Sequence, residues 1–528
     1  MNPRVLTEIL GGHPLALAAI EGTTPEGWYE PRPRSPDAWR ARLDIVRANA
    51  PKDWVTALAP ALRASGRAAE RLSAVAAGRG VVVTTGQQPG LFGGPVYSLS
   101  KALSALALAD DLQEITRVPV APVFWAATDD ADFKEASGTA VAVAGGAQRL
   151  RIDHSAPLGR SMADMPLGDV SAELAALTRS AGSTIDQAPL KLLEKFYTPQ
   201  ATIGSAYVSF LRALFEPLGI AVLDAGHSAT RTTALPVLRA ALEKAESISE
   251  RLSATNSAVE SAGYRVQVPD VAGLSLVFRS DAGERKRVPI KAARKMSGAS
   301  ELGPNVLLRP VVERAMLPTA AYVGGPAEIA YFAQIGPIAD ALGVARPLIV
   351  PRWSCTIVEP HVERILEKLH LQPEDLRDPH EAERRIARSR LPKPVIAELA
   401  ATRALLNERL DALSAAVERE KGPVSSAVTD GLRASLMRRL DRFERRLVAA
   451  AKRQHADVME EIATARGSLY PFGTPQERML NFVPLLARYG PALQDDMLAE
   501  ARRHVSGLTG SGMSARGETA RHPVETLR

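Results

Sequence analysis

Apolar residues follow a strand-and-helix pattern from about residue 80 to residue 360. Short apolar runs, several of them β-branched, are separated by stretches with apolar residues three or four apart, as at Leu99, Leu103 and Leu106. Such alternation predicts βαβ units, in which the strands pair in parallel. We therefore expect an α/β fold with a doubly wound parallel sheet. The runs cover residues 81–83, 118–127, 219–224, 320–324 and 347–350.

After about residue 361 the strand pattern ends and a helical pattern begins. Two apolar seams, each with spacings of four, three and four residues, flank a break at Gly422-Pro423. This spacing predicts an antiparallel coiled-coil hairpin, and an ordinary helical bundle is the alternative because each seam covers only about two to three heptads. The seams are Leu406, Leu410, Leu413 and Val417, then Leu436, Leu440, Phe443 and Leu447.

These patterns divide the chain into four predicted segments. Amphipathic helical stretches lead into the core, and a region richer in short strands and turns forms an insertion within it. The last residues are rich in Gly, Ser and Thr, which is typical of disorder. The segments are the core at 1–365 with its insertion at about 230–310, the coiled-coil domain at 366–465, a segment packing on the core at 466–505 and a disordered tail at 506–528.

Composition excludes several classes of protein and of site. The chain has 528 residues, 46% apolar and 23% charged, so fibrous and wholly disordered proteins are excluded. The single cysteine, Cys355, rules out an intramolecular disulfide, and the nine histidines lack the spacing of paired metal ligands. The chain shows no secretory signal pattern and no apolar run of about 18 residues. We expect a cytoplasmic protein without a metal site or membrane contact.

The formal net charge of +6 is concentrated in one stretch. Residues 431–453 carry eight arginines and lysines and two acidic residues, so this stretch alone has a net charge of +6, equal to that of the whole chain. A basic cluster on a predicted helix is more often a solvated or interhelical face than a phosphate track. Aromatic residues make up only 5% of the chain and do not interleave with the cluster, so we expect no nucleic-acid partner.

The strongest local motif is a Gly-rich loop between the first core strand and its helix. It reads Thr84-Thr85-Gly86-Gln87-Gln88-Pro89-Gly90-Leu91-Phe92-Gly93-Gly94-Pro95. Backbone amides at such a helix start favour an anion, although a tight turn with no ligand is the alternative. The loop matches neither a dinucleotide fingerprint nor a Walker loop. On the following helix, Tyr97 and Lys101 share a face, and Lys101 is either a counter-charge for an anion or a surface lysine.

Two further loops follow predicted strands. Asp129, Asp130 and Asp132 come after the apolar run 118–127, and such a loop holds an amine, a sugar hydroxyl or hydrated magnesium unless it is merely a solvated acidic loop. The third βαβ unit, from the apolar run 320–324 to the run 347–350, repeats a Gly-Gly-Pro helix start and ends in an arginine suited to a carboxylate or phosphate. Cys355 is predicted to be a buried small hydrophobe. The candidates of the third unit and its approach are Asn305, Arg309, Gly324, Gly325, Glu328, Tyr331, Arg352, Ser354 and Thr356.

Taken together, these stretches resemble the bacillithiol biosynthesis cysteine-adding enzyme family, BshC. Matching blocks occur in order from about residue 80 to residue 490, which is more specific than any one loop. The blocks are Thr85–Pro95 with Tyr97 and Lys101, Val123–Trp125 with the aspartate loop, Asn305–Pro310, Tyr322–Tyr331, Pro351-Arg352 with Ser354 and Thr356, and Gln476–Arg478 with Asn481.

The resemblance implies a Rossmann-like core with insertions and a coiled-coil domain that mediates homodimerisation. It also implies a ligase that joins cysteine to the amine of glucosaminyl malate, giving the thiol bacillithiol. Amide synthesis must activate the cysteine carboxylate, most simply with ATP and Mg²⁺, and no tightly bound cofactor is indicated. The partners are therefore small-molecule substrates and a second copy of the chain.

The resemblance also distributes roles among the candidate residues. The loop and Lys101 would hold the anionic part of the nucleotide or malate, the three aspartates would position the attacking amine or sugar hydroxyls, and Arg352 would bind a carboxylate. The loop residues with this role are Gly86, Gln87, Gln88, Gly90, Leu91, Phe92, Gly94 and Pro95, with Tyr97 beside them.

One position departs from the family pattern. The family's acidic loop runs Glu-Asp-His-Asp-Phe, whereas this chain has Ala131 in place of the histidine. If that histidine were the general base, Asp130 or water would have to replace it here. The departure leaves open a divergent member that makes a related thiol or acts on another aminosugar. Two other functions also stay open: another adenylate-forming or nucleotidyl-transfer enzyme on the same core, and a non-catalytic coiled-coil scaffold.

Overall fold

The computed structural model describes residues 2–153, 159–281, 284–378, 380–420 and 424–511. The described residues form two compact units. The first comprises those within Met1–Val141, Arg149–Ile357 and Glu477–Arg528, and the second those within Ala142–Gln148 and Val358–Gln476. No helix in the described ranges combines the length and apolar character needed to cross a membrane.

The first unit is built on a five-stranded parallel sheet with the order β11-β10-β2-β3-β6. The chain adds strands on one side of β2 and later returns to add β10 and β11 on the other side. A three-stranded antiparallel sheet, β8-β7-β9, belongs to the insertion. The strands are β1 Arg4–Thr7, β2 Val81–Gln87, β3 Val120–Ala126, β4 Gly138–Val143, β5 Gly146–Arg151, β6 Ala221–Asp224, β7 Leu274–Asp281, β8 Glu284–Pro289, β9 Leu302–Pro304, β10 Thr319–Gly324, β11 Ile349–Pro351 and β12 Cys355–Val358.

Helices connect and cover these strands. They are α1 Pro14–Glu21, α2 Pro36–Ala48, α3 Trp54–Leu62, α4 Gly66–Ala77, α5 Val96–Thr116, α6 Phe133–Ala136, α7 Ser171–Ala181, α8 Ala188–Phe196, α9 Ile203–Phe215, α10 Ser228–Glu243, α11 Ala245–Ser261, α12 Ile290–Met296, α13 Arg309–Met316, α14 Pro326–Phe332, α15 Gly336–Leu342, α16 Pro360–Leu369, α17 Glu381–Ser389, α18 Lys393–Arg419, α19 Ser426–Gln454, α20 Ala456–Leu469, α21 Gln476–Met479 and α22 Val483–Thr509.

Helix α5 is the central helix of the first unit. It packs against β2, β3 and β10 and is covered by α22. Most of its residues are therefore buried, including Leu99, Leu103 and Leu106. A helix buried on all sides is apolar around its whole circumference, which explains why small and apolar residues dominate this segment.

The second unit contains the two long helices of the predicted hairpin, α18 and α19, which pack against each other. Leu410 of the first seam is buried, whereas Leu413 and Phe443 are exposed. Two basic residues of the 431–453 stretch pair with acidic ones inside the unit: Arg433 Nη2 lies 2.5 Å from Asp411 Oδ1, and Lys452 Nζ lies 2.8 Å from Glu383 Oε2. These two side chains thus make contacts between helices.

The predicted fold class is confirmed, with two local differences. The start of the insertion is not made of short strands and turns, because residues 228–261 form α10 and α11, whose buried positions include Ala234, Leu238 and Leu242. The last helix ends at Thr509, so the first residues of the predicted disordered tail are helical. Residues 512–528 and the Gly422-Pro423 break lie outside the described residues.

The core makes a stability prediction. Ile338 on α15 is fully buried in the cluster that also holds Leu317 and Tyr322, so Ile338→Ala should lower the free energy of unfolding by about 2–5 kcal/mol. Ile185→Ala is the matched control because that side chain is 79% exposed, and its effect should stay within about 0.5 kcal/mol. Urea unfolding would measure both, and equal effects would contradict the assigned core.

Candidate functional site

A cavity of about 630 Å³ opens at the carboxyl ends of the central strands of the first unit. Its wall includes Gly86 and Gln87 from β2, Trp125 from β3, and Gly325 and Arg352, which follow β10 and β11. The order of the sheet reverses between β2 and β10, and α/β sheets bind ligands outside the strand ends at such a point. This cavity is the candidate active site.

Lys101 enters this region from α5 and is paired inside the protein. Its ammonium lies 2.5 Å from Glu328 Oε2 and donates to the carbonyl oxygen of Gly86 at 2.8 Å. Burial lowers the pKa of Lys101, while Glu328 opposes that shift. For Glu328 burial acts to raise the pKa, but the Lys101 ammonium and the Gly325 N–H outweigh it and the pKa is lowered. At this distance the Lys101 ammonium, the predicted counter-charge for a ligand, already has Glu328 as its partner.

Arg352 is also engaged by a carboxylate of the protein. Its two terminal nitrogens reach the two oxygens of Glu477 at 2.8 and 2.5 Å, and Glu477 also accepts from the Ser354 hydroxyl at 2.9 Å. Charge-assisted bidentate pairs are among the strongest hydrogen-bonded arrangements in proteins. Ser354 and Thr356 do not line the cavity, so the predicted carboxylate fork instead joins β11 and β12 to α21.

Arg309 anchors the wall formed by α13. Its guanidinium contacts Glu313 Oε2 at 3.0 Å, reaches the Tyr331 hydroxyl at 3.4 Å and lies 4.9 Å from the centre of the Tyr322 ring. The Tyr322 hydroxyl in turn donates to Glu328 at 2.5 Å. The carboxylate partner of Arg309 is therefore Glu313, one helical turn away.

The three aspartates of the acidic loop have different positions. Asp129 lines the cavity, and burial raises its pKa although Arg285 opposes the shift. Asp130 also lines the cavity, but its Oδ1 accepts the backbone N–H groups of Ala131 at 2.6 Å and Asp132 at 3.2 Å. Asp132 lies outside the cavity wall and accepts the Glu135 N–H at 3.1 Å, which starts α6.

The Gly-rich loop is divided between the cavity and the core. Gly86, Gln87 and Gln88 line the cavity, together with Tyr97 from α5. The following residues are absent from its wall: Gly90, Leu91, Phe92, Gly94 and Pro95.

The amides of that buried part are satisfied by the protein. The Gly93 N–H donates to Gly90 O at 3.1 Å and to the Tyr197 hydroxyl at 3.0 Å, and the Val96 N–H donates to Leu480 O at 2.9 Å. Gly93 has φ +89°, and an added Cβ would lie 2.6 Å from Phe210, so glycine is required by packing. The protein thus already uses the amides of Gly93 and Val96, while anion binding by this part of the loop stays a prediction.

The structure thus gathers most, but not all, of the predicted residues. Asn305, Arg309, Gly325, Glu328, Tyr331, Lys101 and Arg352 line one cavity with the acidic loop, whereas Gly324 does not. Sequence reasoning missed Tyr322, Glu135 and three arginines. Arg285 and Arg287 belong to β8 of the insertion, for which no motif was apparent, while Arg478 lies in a block that supports the resemblance. The missed arginines are Arg285, Arg287 and Arg478.

The cavity wall carries charges of both signs. Six basic side chains and four acidic ones line it. Close carboxylates neutralise Lys101, Arg352 and Arg309. The remaining charged groups of the wall are three arginines and three carboxylates: Arg285, Arg287, Arg478, Asp129, Asp130 and Glu135. Polar groups of both signs in one cavity suit substrates that combine anionic groups with an amine or hydroxyls.

Two family models cover nearly the whole chain. Residues 23–353 match the model described as bacillithiol biosynthesis BshC, N-terminal Rossmann-like domain, and residues 355–506 match the BshC C-terminal coiled-coil domain. The chain belongs to the BshC family. The resemblance seen in the sequence is thereby confirmed.

Curated relatives agree with this assignment. A protein of Solibacter usitatus named "Putative cysteine ligase BshC" is 31% identical over 453 residues, which cover 82% of this chain and 85% of the relative. The protein of the same name from Salinibacter ruber is 29% identical over 81% of this chain and 82% of its own length. That from Koribacter versatilis is 30% identical over 79% and 81%.

The Arg352–Glu477 pair generates a prediction about stability. Glu477→Gln removes the charge opposite a guanidinium whose side chain is only 3% exposed, so the free energy of unfolding should fall by about 3 kcal/mol. Glu284→Gln is the control, since its pair with Lys286 is 53% and 68% exposed and is expected to contribute less than about 1 kcal/mol. Similar losses in both variants, measured by denaturant unfolding, would refute a special role for the buried pair.

Proposed function

We propose that this BshC-family protein is a carbon–nitrogen ligase that joins cysteine to the amine of glucosaminyl malate in bacillithiol biosynthesis. The observation that carries this proposal is the match to both family models, one covering the unit that contains the candidate active site. The curated relatives named cysteine ligases support it. The cavity supports it too, because a wall with both basic and acidic groups suits an aminosugar malate.

The proposed reaction needs carboxylate activation and proton removal. ATP, with Mg²⁺, would convert the cysteine carboxylate into an acyl adenylate or acyl phosphate, releasing pyrophosphate or ADP. The amine of the aminosugar then attacks the acyl carbon, the bond to the phosphate group breaks, and one proton leaves the amine. Asp129 is the proposed base, because it lines the cavity and its ion pair with Arg285 is long, at 4.0 Å. Asp130 instead accepts two backbone N–H groups, and Asp132 lies outside the cavity wall. Asp129 would thus supply the general base in a chain that has Ala131 in place of the family's histidine.

A ligation assay tests the proposal. The full chain incubated with ATP, Mg²⁺, cysteine and glucosaminyl malate should give the amide product by mass spectrometry, with loss of one water between the substrates. Asp129→Asn should lower kcat by about 10²–10⁴-fold because general-base catalysis contributes that much. Asp132→Asn is the matched variant: the Asp132 carboxylate accepts a backbone N–H at the start of α6, so this change should lower kcat far less.

The pH profile provides a second readout of the same assay. A base works when deprotonated, so activity rises with pH through the pKa of Asp129. Burial raises that pKa, and the acidic limb of kcat/KM should therefore lie above the ordinary range of an aspartate. Asp129→Asn should remove this limb. Absence of product under all conditions, or amino-acid-dependent pyrophosphate exchange that prefers another amino acid, would contradict the assigned substrates and favour another adenylate-forming activity.

We further propose that the chain forms a homodimer through its coiled-coil domain. The supporting observation is a set of exposed apolar side chains on α18 and α19, where Leu413 is 44% and Phe443 53% exposed. Apolar side chains at seam positions are usually covered by another helix.

Sedimentation of the full chain tests this assembly. The wild-type chain should sediment as a dimer, and the double variant Leu413→Lys/Phe443→Lys should sediment as a monomer because two charges cannot be buried at the seam. Ile185→Lys, an exposed apolar position of the first unit, should leave the dimer intact. A monomeric wild-type chain, or a dimeric double variant, would refute the proposed interface.

A further inference from the structure

A second, smaller cavity of about 280 Å³ lies beside the candidate active site. Four residues line both cavities: Trp125, Asp129, Arg285 and Pro304. Arg285 is held at this shared wall because its guanidinium donates to the carbonyl oxygens of Asp129 and Pro304, and it stacks 4.8 Å from the Phe278 ring centre. The second cavity therefore shares part of its wall with the first.

One side of the second cavity is apolar. Thr230, Ala234 and Leu238 lie four residues apart on α10 and so share one face of that helix. Val312 of α13 and Leu302 of β9 complete this side. At this volume the chamber is below the usual range for drug-sized ligands and suits a small molecule with a short apolar group.

The other side carries charges of both signs in loose pairs. Arg231 lies 3.7 Å from Glu301, and Arg285 Nη2 lies 4.0 Å from Asp129 Oδ2. Both separations exceed hydrogen-bonding distance, in contrast to the 2.5 Å pairs Lys101–Glu328 and Arg352–Glu477. A ligand carrying both an ammonium and a carboxylate could therefore bind between these groups without breaking a tight pair.

We propose that the second cavity is the subsite for the α-amino acid substrate. The carboxylate of the amino acid binds Arg285 at the shared wall, the ammonium binds Glu301, and the short side chain packs against Ala234, Leu238 and Val312. Asp164, another acidic residue of the wall, adds negative charge near the ammonium. This assignment rests on the proposed ligase activity for its choice of amino acid, whereas the chemistry of the chamber requires only a small zwitterion.

The arrangement has a consequence for the order of groups in the reaction. The carboxylate held at Arg285 faces the larger cavity, where the other substrates would bind. Asp129 lies at the same wall, so the acyl carbon and the proposed base meet at the boundary between the two chambers. The ammonium and side chain of the amino acid stay away from the reacting centre.

Calorimetric titration of the full chain with L-cysteine, with and without a non-hydrolysable ATP analogue, tests the subsite. Ala234→Leu fills the second cavity only and should weaken cysteine binding by about tenfold or more. Ala327→Leu makes the same change in the wall of the first cavity only and should leave cysteine binding unchanged. Circular dichroism checks that both variants are folded.

A second variant and two analogues test the charges. Glu301 is 56% exposed, so Glu301→Gln should fold normally and weaken cysteine binding by about tenfold through loss of the ammonium partner. Cysteamine lacks the carboxylate and 3-mercaptopropionate lacks the ammonium, so each should bind more weakly than L-cysteine. Glu301→Gln should not change the affinity for 3-mercaptopropionate.

The outcomes separate the subsite from the proposed function. Binding of another small α-amino acid, lost in Ala234→Leu, would support the subsite and contradict cysteine as substrate. Ligation with an unchanged KM for cysteine in both Ala234→Leu and Glu301→Gln would support the function and overturn the subsite. A wild-type chain that binds no α-amino acid under either condition would also overturn it.

Discussion

Buried charges need close partners, and this requirement organises the interior of the first unit. Lys101 and Glu328 bring α5 and α14 together, and Arg352 and Glu477 join the end of β11 to α21. An unpaired charge in such a position costs several kcal/mol, so each pair holds its elements in a defined position. The shape of the candidate active site follows, because all four groups lie in or directly behind its wall.

The same requirement separates structural charges from those free to meet a ligand. A carboxylate at 2.5 Å neutralises Lys101 and another neutralises Arg352, so charged groups with longer ion pairs are the better candidates for ligand recognition. Arg285 and Asp129 belong to this second class, and both face two cavities. The insertion therefore supplies a wall and a charge that the parallel sheet lacks, which is consistent with a reaction in which two substrates must meet.

Local patterns predicted much of the fold, while long-range contacts limited prediction of the site. The β-branched runs became β2, β3, β6, β10 and β11 because buried parallel strands read as continuous apolar stretches. By contrast, α10 was not predicted, since its buried face depends on packing against α3 and α13. The Gly-rich loop shows the same limit. Phe210, more than 100 residues away, packs against Gly93, so this glycine is needed for backbone geometry. The Tyr197 hydroxyl accepts the Gly93 N–H, an amide that the sequence predicted would bind an anion.

The sequence by itself determined the fold class, the two-domain order, the family and the set of residues at the strand ends, because these depend on local periodicity and on motifs in order. Only the tertiary structure decided which of those residues line a cavity. Asp129 and Asp132 are alike in sequence, yet one lines a cavity and the other starts a helix. The sequence predicted that Arg352 binds a carboxylate of a ligand, and in the structure its guanidinium binds the carboxylate of Glu477. The physical reason is that charge pairing and burial depend on neighbours brought together from distant parts of the chain.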